Sequence, residues 1–193
     1  MPSEKSIQAG LSLIESDKSK ILSLTIGSHE NIEPGLYIPR AGQIPQTPTN
    51  IATSTNHVKD AQSPPKLSFP GLSTDKTYFV VCLDIDAPFL SFKVLGPILH
   101  WIQPNVKASA SGELDLSAPF VCDYIGPAPP PGSGPHRYTF YLYEQPEGFE
   151  TAKYAPADGQ KMGNWTRIRY DLDAWAKEIN LGPVLAFNYF TSN

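Results

Sequence analysis

Four ionisable side chains lie inside apolar, strand-like segments of this sequence or at their ends: Asp84, Asp86, His100 and His136. A polar group on a core strand needs a hydrogen-bond partner or access to water, so we expect these four to meet in one site. Carboxylates beside imidazoles favour the protonated imidazole. We therefore predict that the two aspartates orient the histidines, and that the protonated histidines bind phosphate, sulfate or carboxylate.

The loop 126–135 that leads into His136 supports this prediction. Proline fixes φ over half of the loop, while Gly132, Ser133 and Gly134 form its flexible part. Consecutive small residues can direct their backbone N–H groups into one concavity, which is an anion-binding arrangement. Alone the turn is a weak indication, but beside the other histidine and the two aspartates it predicts an oxyanion site.

Other chemistry stays open for the same residues. A histidine on an apolar strand is often a satisfied core residue, and an aspartate near a proline often forms a turn. The four side chains could also act as general acid and base. Two histidines and two aspartates are also a possible set of metal ligands, but no metal is predicted, because no short ligand spacing such as H-x-x-x-H occurs. No cofactor is predicted, because the sequence carries neither a cofactor fingerprint nor a nucleophile motif.

The strands that carry these residues are predicted from runs of β-branched and aromatic residues at 21–26, 78–84, 97–103, 136–143 and 184–190. Side chains alternate across a strand, so residues two apart share a face. Three groups should therefore each share a face: Val80, Cys82, Asp84 and Asp86; Ile98, His100 and Ile102; and His136, Tyr138, Phe140 and Leu142.

Helical periodicity predicts helices at 4–16, with Ser3 as a cap, and at 171–180, with Asp171 or Asp173 at its N-terminus. The proline-rich stretch 39–66 is predicted to be a long surface loop. The organisation predicted is one β-dominated domain over 1–193, with an N-terminal helical extension over 1–20 and a few peripheral helices.

Composition excludes several classes of protein. The net charge of −4 and the pI of about 5.5 argue against nucleic acid and against an anionic membrane surface as partners. No apolar run approaches the roughly 18 residues of a membrane span, so no integral membrane contact is expected. With only two cysteines and no apolar leader, a cytoplasmic setting is expected. Twenty prolines in 193 residues exclude a mostly helical chain.

Two motifs carry a resemblance to a known family. The first is D-I-D-A-P at 84–88, followed by L-H-W at 99–101, and the second is Y-I-G-P-A-P-P-P-G-S-G-P-H-R-Y at 124–138, followed by Y-E-Q at 143–145. Over about residues 20–190 the sequence resembles the phosphatidylethanolamine-binding protein family, which includes Raf kinase inhibitors, plant florigens and fungal carboxypeptidase inhibitors. The run G-P-I-L-H-W-I-Q-P and the ending N-Y-F-T-S-N resemble the fungal members most closely.

The resemblance implies a mainly β fold, an antiparallel β-sandwich with small peripheral α-helices, and an anion pocket at one end of the sheet. It implies these pocket residues: Asp84, Asp86, Pro88, His100, Gly126, Pro127, His136 and Tyr138. We expect a ligand-binding, regulatory or inhibitory protein that takes a small anion. A protease or kinase partner is implied by the family alone.

An enzyme remains the alternative, because some fungal relatives are associated with natural-product pathways. Ile85 stands where the family motif usually has proline, and the segment 89–95 is apolar where many members are polar and basic. If that segment lines the pocket mouth, a hydrophobic acid fits better than a bare headgroup. His100 or His136, with Asp84 and Asp86, would then assist cyclisation, isomerisation or coupling of a polyketide-like acid.

Overall fold

A five-stranded antiparallel sheet forms the centre of the chain, in a computed structural model that describes residues 1–39, 61–92 and 94–193. Its strands follow the spatial order β5-β4-β3-β6-β7, and a second sheet of two strands, β1 and β2, packs against it. The strand bounds are β1 Ser23–Thr25, β2 Lys66–Ser68, β3 Tyr78–Asp84, β4 Ile98–Ala108, β5 Leu114–Asp115, β6 His136–Glu144 and β7 Ala186–Ser192.

Both faces of the central sheet are covered, which explains why its strands read as continuous apolar runs. All seven residues of β3 are buried. On one face, Leu24 and Leu67 of the small sheet pack with Cys82 and Phe140. The other face packs against helices in a second buried cluster. The predicted mainly β sandwich with small peripheral helices is confirmed.

The helices lie at the edges of the fold, as α1 Glu4–Ser16, α2 Thr151–Tyr154, α3 Asn164–Arg167 and α4 Leu172–Glu178. The predicted cap of α4 is confirmed, since the Asp171 carboxylate accepts from Ala174 N. The predicted cap of α1 is wrong, because the Ser3 hydroxyl donates to the Tyr170 carbonyl instead. Asp173 satisfies the first turn of α1 by accepting the backbone N–H groups of residues 5 and 6.

The predicted loop 39–66 falls largely outside the described residues, which omit 40–60 and 93, and the part that is described ends in β2. No helix in the described ranges is long and apolar enough to cross a bilayer.

Candidate functional site

A buried pair, Asp84 and His136, lies where β3 ends beside the start of β6. The Nδ1 atom of His136 donates to Oδ2 of Asp84 over 2.8 Å. The other carboxylate oxygen of Asp84 accepts the backbone N–H of Asp86 at 2.9 Å. With Nδ1 committed to the carboxylate, the tautomer is fixed and Nε2 is the ring atom left for other chemistry.

The surroundings of His136 favour its protonated form. Burial lowers the pKa of His136, but the hydrogen bond that it donates to Asp84, the charges of Asp84 and Asp86, and the nearby Pro88 carbonyl raise it more, so the net pKa lies above its ordinary value. Protonated His136 would carry a proton on Nε2 as well as on Nδ1. The expectation of a protonated imidazole at this position is therefore supported by its environment.

The surroundings of His100 shift its pKa in the opposite direction to that of His136. Burial lowers the pKa of His100, and this outweighs the charge of Asp84 and the hydrogen bond to a carbonyl that favour protonation. That bond runs from Nδ1 of His100 to the Ile125 carbonyl at 2.7 Å. The surroundings of His100 therefore favour its neutral form, with the proton on Nδ1 and a lone pair on Nε2, and do not support the expectation of a protonated ring at this position.

A β-bulge also changes the direction of His100. In the pairing of β3 with β4, Cys82 lies opposite Trp101 and Leu83 opposite Leu99, so His100 is the extra residue. Its ring meets the ring of Tyr138 edge-on, with centroids 5.0 Å apart. Tyr138 belongs to the cluster under the small sheet, whereas Ile102 belongs to the cluster under the helices. The predicted common face for Ile98, His100 and Ile102 is therefore wrong for Ile102, which lies beyond the bulge and faces the helices.

Asp86 binds an arginine that the sequence did not point to. The guanidinium of Arg137 donates from Nε and Nη2 to the two carboxylate oxygens, each at 2.8 Å, and the Arg137 backbone N–H donates at 3.0 Å. The prediction that Asp86 orients a histidine is therefore wrong. Its charge acts on His136 only from a distance, while its hydrogen bonds hold the end of β3 to the start of β6.

The loop before His136 is held tightly against β4 and residues 61–62. Ile125 N donates to the His100 carbonyl at 3.0 Å, and the Gln62 amide donates to the Pro127 carbonyl at 3.0 Å. A Cβ on Gly126 would lie 2.7 Å from the Ala61 carbonyl oxygen. Only glycine allows this approach, which explains why the loop needs Gly126 beside Pro127.

The flexible part of the loop is a tight turn rather than a set of free donors. Both the hydroxyl and the N–H of Ser133 donate to the Pro130 carbonyl, at 2.8 and 3.1 Å. Gly132 adopts a φ of 81°, which this turn requires. A Cβ on Gly134 would lie 2.7 Å from Cδ1 of Leu90. The predicted anion-binding use of the N–H groups of Gly132, Ser133 and Gly134 is therefore wrong for Ser133, whose N–H is already bonded.

Three buried polar atoms on this face of the sheet lack hydrogen-bond partners in the described part of the chain: Nε2 of His136, Oη of Tyr138 and Oγ of Ser192. His136 pairs directly with Ser192 across β6 and β7, and Tyr138 follows two residues along the same face. Burial raises the pKa of Tyr138, so its hydroxyl keeps its proton and can donate. Sequence reasoning missed Ser192, because the predicted strand ended two residues earlier.

An exposed apolar segment stands beside this site. Five large side chains between residues 89 and 95 are 38% to 63% exposed: Phe89, Leu90, Phe92, Val94 and Leu95. A turn closed by Phe92 N and the Phe89 carbonyl at 2.9 Å holds the first part of the segment. These side chains do not pack in the core, and Leu90 adjoins Gly134, two residues before His136.

Two surface concavities lie elsewhere. One of about 680 Å³ is lined by α1 residues with Asp173, and one of about 330 Å³ lies along β4 and β5. The side chain of His136 is fully buried, so a ligand can reach its ring only if the side chains that cover the ring move. Within residues 1–39, 61–92 and 94–193, no group of three or more histidine, cysteine or acidic side chains is placed to hold a metal ion.

Comparison with known proteins identifies related chains. A sequence profile described as phosphatidylethanolamine-binding protein matches residues 29–190. The carboxypeptidase Y inhibitor of Saccharomyces cerevisiae is 31% identical over 130 residues, which are 60% of this chain and 59% of that protein. Phomoidride biosynthesis cluster protein N of Talaromyces stipitatus is 36% identical over 121 residues, 58% of this chain and 57% of that one. The matches thus span less than two thirds of these relatives.

Solved structures agree with the fold. A carboxypeptidase Y inhibitor complexed with its cognate proteinase superposes with a TM-score of 0.68 at 25% identity, covering 98% of this chain and 95% of that one. The phosphatidylethanolamine-binding protein from Plasmodium vivax superposes with a TM-score of 0.60 at 16% identity, covering 89% and 84% of the two chains. The second likeness concerns the fold alone.

Proposed function

Because this chain belongs to the phosphatidylethanolamine-binding protein family, we propose that it binds a small oxyanion, a phosphate or a carboxylate, at His136. The observation that carries this proposal is the buried Nε2 of His136, which has no hydrogen-bond partner among the residues that the structure describes, in a ring whose Nδ1 is bonded to Asp84. A protonated Nε2 in a buried setting donates a charge-assisted hydrogen bond, the strongest kind that a neutral-pH site offers an anion.

The remaining pocket residues have distinct proposed roles. Tyr138 donates a hydrogen bond from its hydroxyl to the anion, and neutral His100 accepts a hydrogen bond at Nε2 from a hydroxyl of the ligand. Gly126 and Pro127 form one wall of the proposed pocket. Pro88 and Gly134 border the apolar segment 89–95, so we place the entrance there. An anion that also carries an apolar group would gain contact with that segment.

Sulfate affinity should fall as pH rises. The anion needs His136 protonated, and the pKa of His136 is raised, so binding should persist above the ordinary histidine value of about 6.5 and fall beyond the raised pKa. Above that point Kd should rise about tenfold per pH unit. Calorimetric titration from pH 5 to pH 9 measures this, and sulfate suits it because its charge does not change in that range.

The matched control is Asp84→Asn. The amide keeps an oxygen for Nδ1 of His136 but removes the carboxylate charge that raises the pKa, so the midpoint should move to lower pH. Sulfate affinity that does not vary from pH 5 to pH 9 would contradict the proposal.

Acid–base catalysis on a hydrophobic acid is a second candidate. The hydrogen bond from Nδ1 of His136 to a buried carboxylate is the arrangement that prepares an imidazole to move protons at Nε2. The exposed apolar segment suits a hydrophobic substrate, and one relative is named for a biosynthesis cluster. Here His136 would take a proton from the carbon next to a carbonyl during cyclisation, isomerisation or coupling.

Proton exchange separates the two candidates. The octanoyl thioester of N-acetylcysteamine in D₂O should exchange its C2 protons at a rate that rises as pH passes the pKa of His136, because the base is the neutral ring. Loss of His136 should slow exchange by about a hundredfold. Mass spectrometry follows the deuterium. Exchange no faster than in buffer alone excludes this chemistry, whatever the sulfate titration gives.

An inhibitory role is compatible with either candidate. The S. cerevisiae relative is a carboxypeptidase Y inhibitor, and we propose that a protease is the class of protein partner to test first. Such binding would use an outer surface rather than the buried His136.

A further inference from the structure

Ser192 is a polar side chain with no structural use in the described residues. Ser192 is fully buried, and its Oγ has no hydrogen-bond partner among the described residues. It lies opposite His136 in the pairing of β6 with β7. We propose that the Ser192 hydroxyl is a third donor to the bound anion, and that it makes the site prefer a tetrahedral oxyanion to a carboxylate. This inference rests on the oxyanion site proposed above.

The pairing of the strands places the hydroxyl on the correct face. Directly opposed residues in an antiparallel pair point to the same side, with Cβ atoms about 4.5–5.5 Å apart. The next pair along this face is Tyr138 with Phe190. Ser192 therefore shares one face with both donors already assigned, His136 on the facing strand and Tyr138 two residues further along.

The end of β7 is held in place, so the hydroxyl cannot simply turn to solvent. On the side of β7 away from β6, Ile38 N donates to the Thr191 carbonyl at 2.8 Å, and Tyr37 forms a bridge with Thr191. The Tyr37 hydroxyl also donates to the Asn193 side chain at 2.5 Å. Ser192 is thus fixed between two anchored neighbours with its hydroxyl buried.

The number of hydrogen-bond donors in the site explains why it should prefer a tetrahedral oxyanion to a carboxylate. A carboxylate offers two oxygens, which the donors on His136 and Tyr138 can satisfy. A sulfate or phosphate offers further oxygens, and one of these can accept from Ser192. Alanine, which has a hydrogen in place of the hydroxyl, would fill nearly the same space, so a serine that only packs here would gain nothing from its buried hydroxyl.

The test compares Ser192→Ala with wild type by calorimetric titration of sulfate and of acetate at pH 6. We expect the Kd for sulfate to rise about tenfold, the usual effect of losing one hydrogen bond to a charged group, and the Kd for acetate to change less than about twofold. The ligand-free variant should melt at or above the wild-type temperature, because it loses a buried hydroxyl that no described residue hydrogen-bonds. A loss of binding together with retained or increased stability separates a ligand contact from a structural role.

Tyr141→Phe is the matched control. Its hydroxyl is also buried and lacks a hydrogen-bond partner within residues 1–39, 61–92 and 94–193, but Tyr141 packs in the cluster under the helices. This variant should leave both affinities unchanged. Wild-type sulfate affinity in Ser192→Ala overturns the inference, and so does an equal loss for acetate. If wild type binds neither ion, the proposed function itself fails. If only the loss of His136 weakens sulfate, the site stands and Ser192 has no part in it.

Discussion

Replacing His136 with alanine should abolish oxyanion binding while the chain remains folded. The variant loses the charged Nε2 donor, and a hydrogen bond between charged partners contributes enough that affinity should fall about a hundredfold or more. The substitution also leaves Asp84 buried without its imidazole partner, which should cost about 3 kcal/mol of unfolding free energy. Sulfate calorimetry with a circular dichroism melting curve measures both effects.

A second substitution separates binding from stability. In His136→Asn the side-chain amide can still donate to Asp84 from about the place of Nδ1, but nothing remains where Nε2 stood. This variant should recover part of the lost stability without recovering affinity. His29→Ala, a histidine in the turn after β1, should bind sulfate as wild type does. Wild-type affinity in a folded His136→Ala or His136→Asn would show that the anion does not bind at this histidine.

The strands could be predicted from sequence because both faces of the sheet are covered. The apolar run at 78–84 coincides with β3 and the aromatic run at 136–143 nearly coincides with β6. Residues that end these runs, such as Asp84 and His136, were therefore placed beside each other correctly. β2 and β5 were not predicted, since strands of three and two residues are too short to show alternation.

The partners of the site residues could not be predicted in the same way. His100 is turned by a bulge, and a bulge depends on the register between two strands rather than on alternation within one. Asp86 bonds to Arg137, 51 residues away. Arg137 follows His136 directly and so points to the other face, where no aspartate was expected. The alternation of residues within one strand predicts which face of the sheet a side chain lies on. Its hydrogen-bond partners depend on how that strand is paired with its neighbours, which the sequence of one strand does not show.

A second buried ion pair, Arg167 with Asp123, supports the site from behind β4. Arg167 is 1% exposed, and its Nη2 donates to the Asp123 carboxylate. Its other donors reach the carbonyls of Asp123 and Leu99, at 3.0 and 3.3 Å, and of Met162, at 3.2 Å. The guanidinium therefore joins α3, β4 and the segment that leads through residue 125 to His100.

Arg167→Ala should be among the most destabilising single substitutions in the chain. It leaves a buried carboxylate without its charged partner and removes one donor from each of three carbonyls, which should cost about 3–5 kcal/mol. For a chain of this size the melting temperature should fall by roughly 10 °C. Urea unfolding measures the free energy. The control is Arg169→Ala, whose exposed guanidinium donates to the Val94 carbonyl at 3.1 Å and whose loss should cost less than about 1 kcal/mol.

Arg167→Ala should also change the protonation of His100 in the proposed ligand site. Asp123 precedes the backbone that presents the Ile125 carbonyl to Nδ1 of His100, and the positive charge of Arg167 helps to lower the pKa of His100. In Arg167→Ala the His100 ring should therefore titrate at higher pH, which its NMR proton shifts can follow below the melting temperature. A loss under 1 kcal/mol with an unchanged His100 titration would mean that this ion pair neither holds the fold nor keeps His100 neutral.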